Sequence, residues 1–178
     1  MNMVTITISG NPGSGKSTVA ELLHEQLDIP YVYAGKIFRS MAEDFGMNLE
    51  EFGHYCEDHK EIDNELDARQ VKILREGNVI LEGRLAGWLA FRNKVPAIKI
   101  MLVADQETRA QRVVNREDGS VEQRKEEIRK REGSEAKRYQ SYYNIDINDT
   151  SIYDLVIDSS KKTPEDILDE ILAFIQRP

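Results

Sequence analysis

The sequence predicts an α/β fold, a three-layer α/β/α arrangement around a five-stranded parallel sheet, and three observations carry that prediction. A β-branched segment alternating with period two, Thr5-Ile6-Thr7-Ile8-Ser9, runs into a glycine-rich loop, Gly10-Asn11-Pro12-Gly13-Ser14-Gly15-Lys16-Ser17. A helical pattern from Ser17 to Leu27 follows at once, so strand, loop and helix form the opening unit of a parallel sheet. Further short apolar segments then recur, each bounded by Gly, Pro or charged residues.

Tyr31–Tyr33, Val79–Leu81 and Ile98–Val103 read as the next three strands, and Tyr153–Ile157 as the fifth. The last helix is signalled by Thr163 as N-cap and Pro164 at the first helical position, with Ile167, Leu168, Ile171, Leu172 and Ile175 along the face that covers the sheet. Two charged stretches fit neither sheet nor simple crossover. Residues 38–76 read as a helical insert interrupted by Gly46 and Gly53, and residues 117–138 as an Arg-, Lys- and Glu-rich segment with Gly119 and Gly133 as hinges. With 178 residues and 40% apolar content, the expectation is one domain, its core spanning about 1–37, 77–116 and 139–178.

A formal charge of −8 opposes general nucleic-acid binding, so any anionic ligand must be met by a local cluster of cations. The single cysteine, Cys56, supplies neither an internal disulfide nor a multi-thiolate zinc site, and the flanking His54 and His59 lack a matching cluster. No basic leader precedes the first strand and no apolar stretch reaches the roughly 18 residues of a membrane span. A cytoplasmic, monomeric protein with no membrane partner is expected.

The G-x-x-x-x-G-K-S spacing has a physical reason at each position. Glycines free the backbone to wrap its N–H groups around phosphates, so Gly10, Asn11, Pro12, Gly13, Ser14 and Gly15 are expected to hold the phosphates of ATP. Lys16 reaches the β- and γ-phosphates, Ser17 offers its hydroxyl to Mg²⁺, and the helix that continues through Thr18 points its positive end at the anion. Such a loop serves kinases, GTPases and ATPases alike. The chain lacks N-K-x-D for guanine, since its Asn93-Lys94 pair continues Val95-Pro96, and it lacks D-x-x-G.

Phosphoryl transfer depends on positioning and on neutralising charge. Arg39 follows the second strand in Gly35-Lys36-Ile37-Phe38-Arg39, and Arg84 follows the third in Glu82-Gly83-Arg84. Strand carboxyl ends form the ligand crevice of an open α/β sheet, which puts both arginines where a second phosphate would sit. Arg109, Arg112 and Arg116 share a helical face, and Arg131 and Arg138 lie about two turns apart; these read either as an arginine-lined lid or as a solvated face. Arg124 and Arg129, amid Glu122, Glu126 and Glu127, read as surface ion pairs, Trp88 as a buried anchor, and Glu82 as a candidate to order Mg²⁺ through water.

Taken together, the chain resembles the nucleoside monophosphate kinases, most closely the archaeal-type cytidylate kinases, over essentially its whole length. The likeness rests on Ile8–Thr18, Ala34-Gly35-Lys36-Ile37-Phe38-Arg39, Leu81-Glu82-Gly83-Arg84-Leu85-Ala86-Gly87-Trp88, and Arg138-Tyr139 through Ile147 to Val156. It implies transfer of the γ-phosphoryl group of ATP to CMP or dCMP with Mg²⁺, Arg39 and Arg84 holding the acceptor phosphate. By the same likeness, Arg112 stacks on adenine, Arg116, Arg131 and Arg138 reach the phosphates on closure, residues 38–76 bind the monophosphate and residues 117–138 form the lid. Bacterial cytidylate kinases follow the matching Gly-Arg with a cytosine-contacting Asp paired with an Arg in the preceding helix; here Leu85 and Asp63 stand at those places. Asp63, Asp67, Arg69 and Gln70, beside Gly35 and Gly83, are therefore the candidates for reading the acceptor. A kinase for AMP, UMP or another small acceptor such as shikimate would use the same loop, and an ATP-dependent interaction module is the alternative from another class.

Overall fold

A computed structural model, describing residues 4–176, places five parallel strands in the order β2-β3-β1-β4-β5. They are β1 (Ile6–Gly10), β2 (Tyr31–Tyr33), β3 (Ile80–Glu82), β4 (Ile98–Val103) and β5 (Leu155–Asp158). The second and fourth strands lie where the alternation predicts them. The first, third and fifth are shifted toward their carboxyl ends; just before the fifth, Asp154 N donates to Lys99 O at 2.8 Å and its carboxylate accepts from Lys99 N at 2.7 Å. β1 pairs with β3 on one side and β4 on the other and is buried on both faces, with Ile6 and Ile8 on one and Thr7 and Ser9 on the other.

Helices cover both faces. On one, α1 (Lys16–Leu27) and α8 (Pro164–Ile175) pack Leu23, Ile167 and Ile171 against Ile6, Ile100 and Ile157. The Thr163 cap is a full capping box, with Asp166 N donating to Thr163 Oγ1 at 3.1 Å and Thr163 N to Asp166 Oδ2 at 3.0 Å. On the other face, α5 (Ala86–Arg92) brings Trp88 and Leu89 against Leu74, Leu81 and Tyr139; Trp88 is 6% exposed, a buried anchor. Gly87 permits this approach, because a Cβ there would stand 2.4 Å from the Tyr153 ring.

The charged stretch after β2 forms α2 (Ala34–Asp44), α3 (Leu49–Glu57) and α4 (Lys60–Glu76) around a small core of Ala42, Phe52, Cys56 and Ile62. After β4, α6 (Gln106–Glu117) and α7 (Val121–Tyr143) form a hairpin closed by Ala110, Val113 and Ile128. Two expected hinges are not breaks: Gly53 lies inside α3 and Gly133 inside α7, where flanking residues carry the helical hydrogen bonds through. Gly46 and Gly119, at φ 66° and 95°, do mark chain reversals between helices. His54 pairs with Glu57, and His59 bonds the Tyr55 carbonyl and stacks on its ring, so neither joins Cys56 in a metal cluster.

Candidate active site

The loop after β1 and the carboxyl ends of β2 and β3 border a cleft of about 490 Å³, walled across from the sheet by α3, α4 and α7. β1 is the strand from which the order runs outward in both directions, the switch point at which α/β sheets bind ligands. Gly13 and Gly15 adopt φ 79° and 94°, and a Cβ at Gly13 would stand 2.7 Å from the Arg109 carbonyl oxygen. α1 begins without a side-chain cap, which leaves its first N–H groups available to an anion.

Lys16 donates to the Asn11 carbonyl at 2.9 Å. Desolvation brings its ammonium down to about 7, the charge of Glu82 opposing and those of Arg84 and Arg131 assisting. A phosphate chain would restore the full positive charge. Ser17 Oγ donates to Glu82 Oε1 at 3.1 Å, and the Tyr31 hydroxyl donates to Glu82 Oε2. Burial pushes the Glu82 carboxyl up, while Lys16 pulls it back. A hydroxyl and a carboxylate this close suit Mg²⁺, a hard cation that takes oxygen ligands and keeps several waters. Among the described residues no group of three or more His, Cys, Asp and Glu could form an all-protein metal cage, so phosphates would have to complete the shell.

Arginines converge on this end of the cleft through a residue the sequence did not single out. Arg84 Nε donates to Glu135 Oε2 at 2.6 Å and Arg131 Nε to Glu135 Oε1 at 2.9 Å, while Arg84 Nη1 reaches Asn11 Oδ1 at 3.2 Å. Burial pushes the Glu135 carboxyl up, but the guanidinium charges of Arg131 and Arg84 outweigh it and hold it at about 2. Glu132, one turn earlier, accepts from Arg109 Nη1 at 2.8 Å and from the Asn11 amide. Arg109 also donates to Pro12 O at 3.3 Å, so α7 and α6 both grip the phosphate loop. The i,i+4 spacing signals the Arg131–Glu135 pair, but nothing local signals Arg84, 51 residues away.

Arg112 donates to Gly13 O at 3.3 Å and to Ser159 Oγ and O at 3.0 and 2.6 Å, and Ser159 in turn donates to Ser14 O at 2.7 Å. It lies against the loop, while Arg116 and Thr18 stand at the cleft mouth, Arg116 exposed and paired with Glu117. Arg39 lines the cleft with an exposed guanidinium that no described residue engages. Gly35 lies beneath the Tyr33 ring, and Gly83 N donates to Ile8 O at 3.1 Å. Asp67 and Gln70 also line the cleft.

Two expected acceptor residues lie elsewhere. Arg69 stands on the outer face of α4, 55% exposed and paired with Glu65 one turn away, because a charged residue there keeps its head in water. Asp63 is buried against Arg138, whose Nε donates to Asp63 Oδ2 at 2.8 Å. Arg138 lines the cleft but is also engaged by Gly53 O and Ser134 Oγ and stacked over Phe38 and Tyr139, so it rivets α7 to α3 and α4. Arg129 forms the surface pair expected of it, with Glu126, while Arg124, expected on the surface, is largely buried, lines the cleft and is held by Glu127 and by the Asp118 and Glu117 carbonyls.

Comparison with known proteins places this arrangement among relatives. The model of the cytidylate kinase-like family matches residues 5–161. A cytidylate kinase of Methanocaldococcus jannaschii is 47% identical over 171 residues, 96% of each chain. One of Pyrococcus horikoshii is 48% identical over 172 residues, 97% of this chain and 88% of the relative. Among solved structures, an uncharacterized protein from Eubacterium ventriosum superposes with TM-score 0.73 at 20% identity, over 98% of this chain and 99% of that one. Shikimate kinase from Bacteroides thetaiotaomicron gives 0.62 at 14% identity, over 98% and 99%, a likeness of fold.

Proposed function

The chain belongs to the cytidylate kinase-like family, and from that premise we propose that its cleft transfers the γ-phosphoryl group of Mg-ATP to CMP or dCMP, giving ADP and CDP or dCDP. The observation that carries this reading is the meeting of Lys16 with Arg84 and Arg131 in one cleft that also holds the unengaged Arg39. A nucleotide hydrolase or switch has one phosphate chain to hold. Two further arginines, Arg39 on α2 and Arg84 just past β3, have a use when a second anion enters.

In this reading Gly10, Asn11, Pro12, Gly13, Ser14, Gly15, Lys16, Ser17 and Thr18 hold the ATP phosphates through loop amides, the start of α1 and the Lys16 ammonium. Arg112 and Arg116 border the nucleotide from α6. Arg39 and Arg84 hold the acceptor phosphate, beside Gly35 and Gly83, so that its oxygen faces the γ-phosphorus in line. Arg131 spans the two substrates and neutralises charge that spreads over the travelling phosphoryl group. Mg²⁺, held by Ser17 with Glu82 accepting from its water, would supply further neutralisation of the phosphate oxygens.

Residues 38–76 act as the monophosphate-binding insert and residues 117–138 as the lid. Contacts between the two fit a closed arrangement: Lys130 reaches Glu50 at 3.2 Å and Lys137 pairs with Glu57, and beyond the lid on the same helix the Tyr142 hydroxyl donates to the carbonyls of Cys56 and Glu57. Closure would keep water from competing with the acceptor. A monomer in the cytoplasm, with nucleotides as its ligands, accords with these residues.

The test is ADP release with Mg-ATP and CMP, dCMP, UMP, AMP or GMP in parallel. Turnover highest with CMP and dCMP is expected. Equal turnover with UMP would replace the reading by a general pyrimidine kinase, and no turnover with any monophosphate would overturn it.

A further inference from the structure

The acceptor end of the cleft contains a polar side chain that the phosphate chemistry leaves unused. Gln70, on α4, is 3% exposed. Its Nε2 donates to Asp67 Oδ1 at 3.2 Å, and Asp67 Oδ2 accepts from the Tyr143 hydroxyl on α7. Gln70 Oε1 is buried without a hydrogen-bond partner. It lies beside Gly83, where a Cβ would come within 3.2 Å of it, so the wall next to Oε1 is bare backbone of the strand end that also presents Arg84. Buried acceptors left unpaired are few in native structures, and each calls for an explanation.

A glutamine amide can be turned end for end, and its neighbours decide which end faces out. Here the neighbour is the Asp67 carboxyl, which burial pushes up to about 7 while the hydrogen bond from Tyr143 pulls it back, so above pH 7 it is an ionised group that accepts and cannot donate. Asp67 therefore draws the amide nitrogen to itself and leaves the oxygen unpaired beside Gly83, at the cleft wall that Gln70 and Gly83 both line. Asp67 is in turn held by Tyr143, so the orientation is set from two helices.

We propose that Gln70 reads the acceptor base, its Oε1 accepting from the exocyclic amine of cytosine, and that Asp67 is the positioning residue that holds the amide in that sense. This rests on the cleft receiving a nucleoside monophosphate as proposed above. Uracil carries a carbonyl where cytosine carries the amine, and so would set two acceptors against each other. A site built to hydrogen-bond one group discriminates strongly against an analogue that lacks it. Reversing the amide to suit uracil would turn Oε1 toward the Asp67 carboxylate, which moves the same repulsion one residue inward.

The experiment measures kcat/KM for CMP and for UMP at pH 8, where Asp67 is ionised, at saturating Mg-ATP, in wild type, Gln70→Leu and Asp67→Asn. Gln70→Leu keeps an apolar volume at the wall and is expected to lose roughly 10- to 100-fold on CMP, with UMP and the KM for ATP little changed. Asp67→Asn offers an amide that can donate, frees Gln70 to turn, and is expected to lower the CMP-to-UMP ratio of kcat/KM, with the KM for ATP little changed. A ratio unchanged in Asp67→Asn, or equal losses on both substrates in Gln70→Leu, overturns the assignment as a mere packing role. Wild type that uses no monophosphate overturns it together with the reading beneath it. Should Gln70→Leu fail to fold, the isosteric Asp67→Asn decides alone.

Discussion

Glu135 is the hub on which the arginines are arranged, and removing its charge while keeping its shape isolates that role. In Glu135→Gln, Arg84, whose side chain is 7% exposed, would keep its guanidinium buried beside a neutral amide. Two routes give the cost. Breaking a buried ion pair by removing one partner costs about 3–5 kcal/mol. Independently, a carboxyl held at about 2 in the folded chain against an ordinary 4.5 is worth about 3 kcal/mol above pH 4.5, at 1.36 kcal/mol per tenfold change in proton affinity. For a domain of this size about 1 kcal/mol moves Tm by about 2–4 °C, so the roughly 3 kcal/mol on which both routes agree lowers Tm by about 6–12 °C at pH 7. The sign with pH follows from the direction of the shift. A carboxyl whose folded pKa is depressed stabilises above its unfolded value, and that stabilisation fades as pH falls through 4.5 toward 2. Thermal denaturation of both proteins at pH 7, 4.5 and 3 should therefore show the gap persisting to 4.5 and falling below about half by 3. A Tm within about 3 °C of wild type at pH 7, or a gap independent of pH, would refute the claim that Glu135 balances Arg84 and Arg131.

Lys16→Ala should cut turnover by on the order of 10²–10³ with Tm near wild type, as expected for one charge stabiliser at a transferring group; turnover within tenfold of wild type removes it from that role. Because the free Lys16 ammonium lies at about 7 and a phosphate chain raises it, ATP binding at pH 8 should take up a proton, and affinity should fall by up to about tenfold per pH unit above 7. Calorimetry in two buffers of different ionisation enthalpy measures that proton directly, and identical heats in both would contradict the linkage. Arg39→Ala, at an exposed position, should leave stability within about 0.5 kcal/mol of wild type yet raise the KM for CMP by about tenfold or more. Steady-state kinetics with each substrate varied in turn checks this, a KM change confined to ATP being the adverse result.

Much of the fold was legible because its signals are local. The alternation of Thr5–Ser9, the glycine spacing and the Thr163-Pro164 cap each need only a few neighbouring residues, and each lies in the element it predicts. The ends of strands were less exact, since pairing with a neighbour decides where a strand stops. Gly53 and Gly133 show the same limit, for a glycine reads as a break until flanking turns and packing hold the helix through it.

For the candidate site, the sequence by itself located the phosphate loop with Lys16 and Ser17 after β1 and Arg84 after β3, because a motif and a strand boundary each carry position, whereas Arg39 lies within α2, beyond the end of β2, and lines the cleft from there. Tertiary structure decided which charges face which. Asp63 and Asp67 lie one turn apart on the same helix, yet one is bound to Arg138 and the other to Tyr143 and Gln70. Arg69, two residues past Asp67, points to water on the other side. Arg84 finds Glu135 across 51 residues of chain. Helical periodicity tells which residues share a face, while the partner of a buried charge is chosen by whichever element packs against that face, and only the folded chain brings that element there.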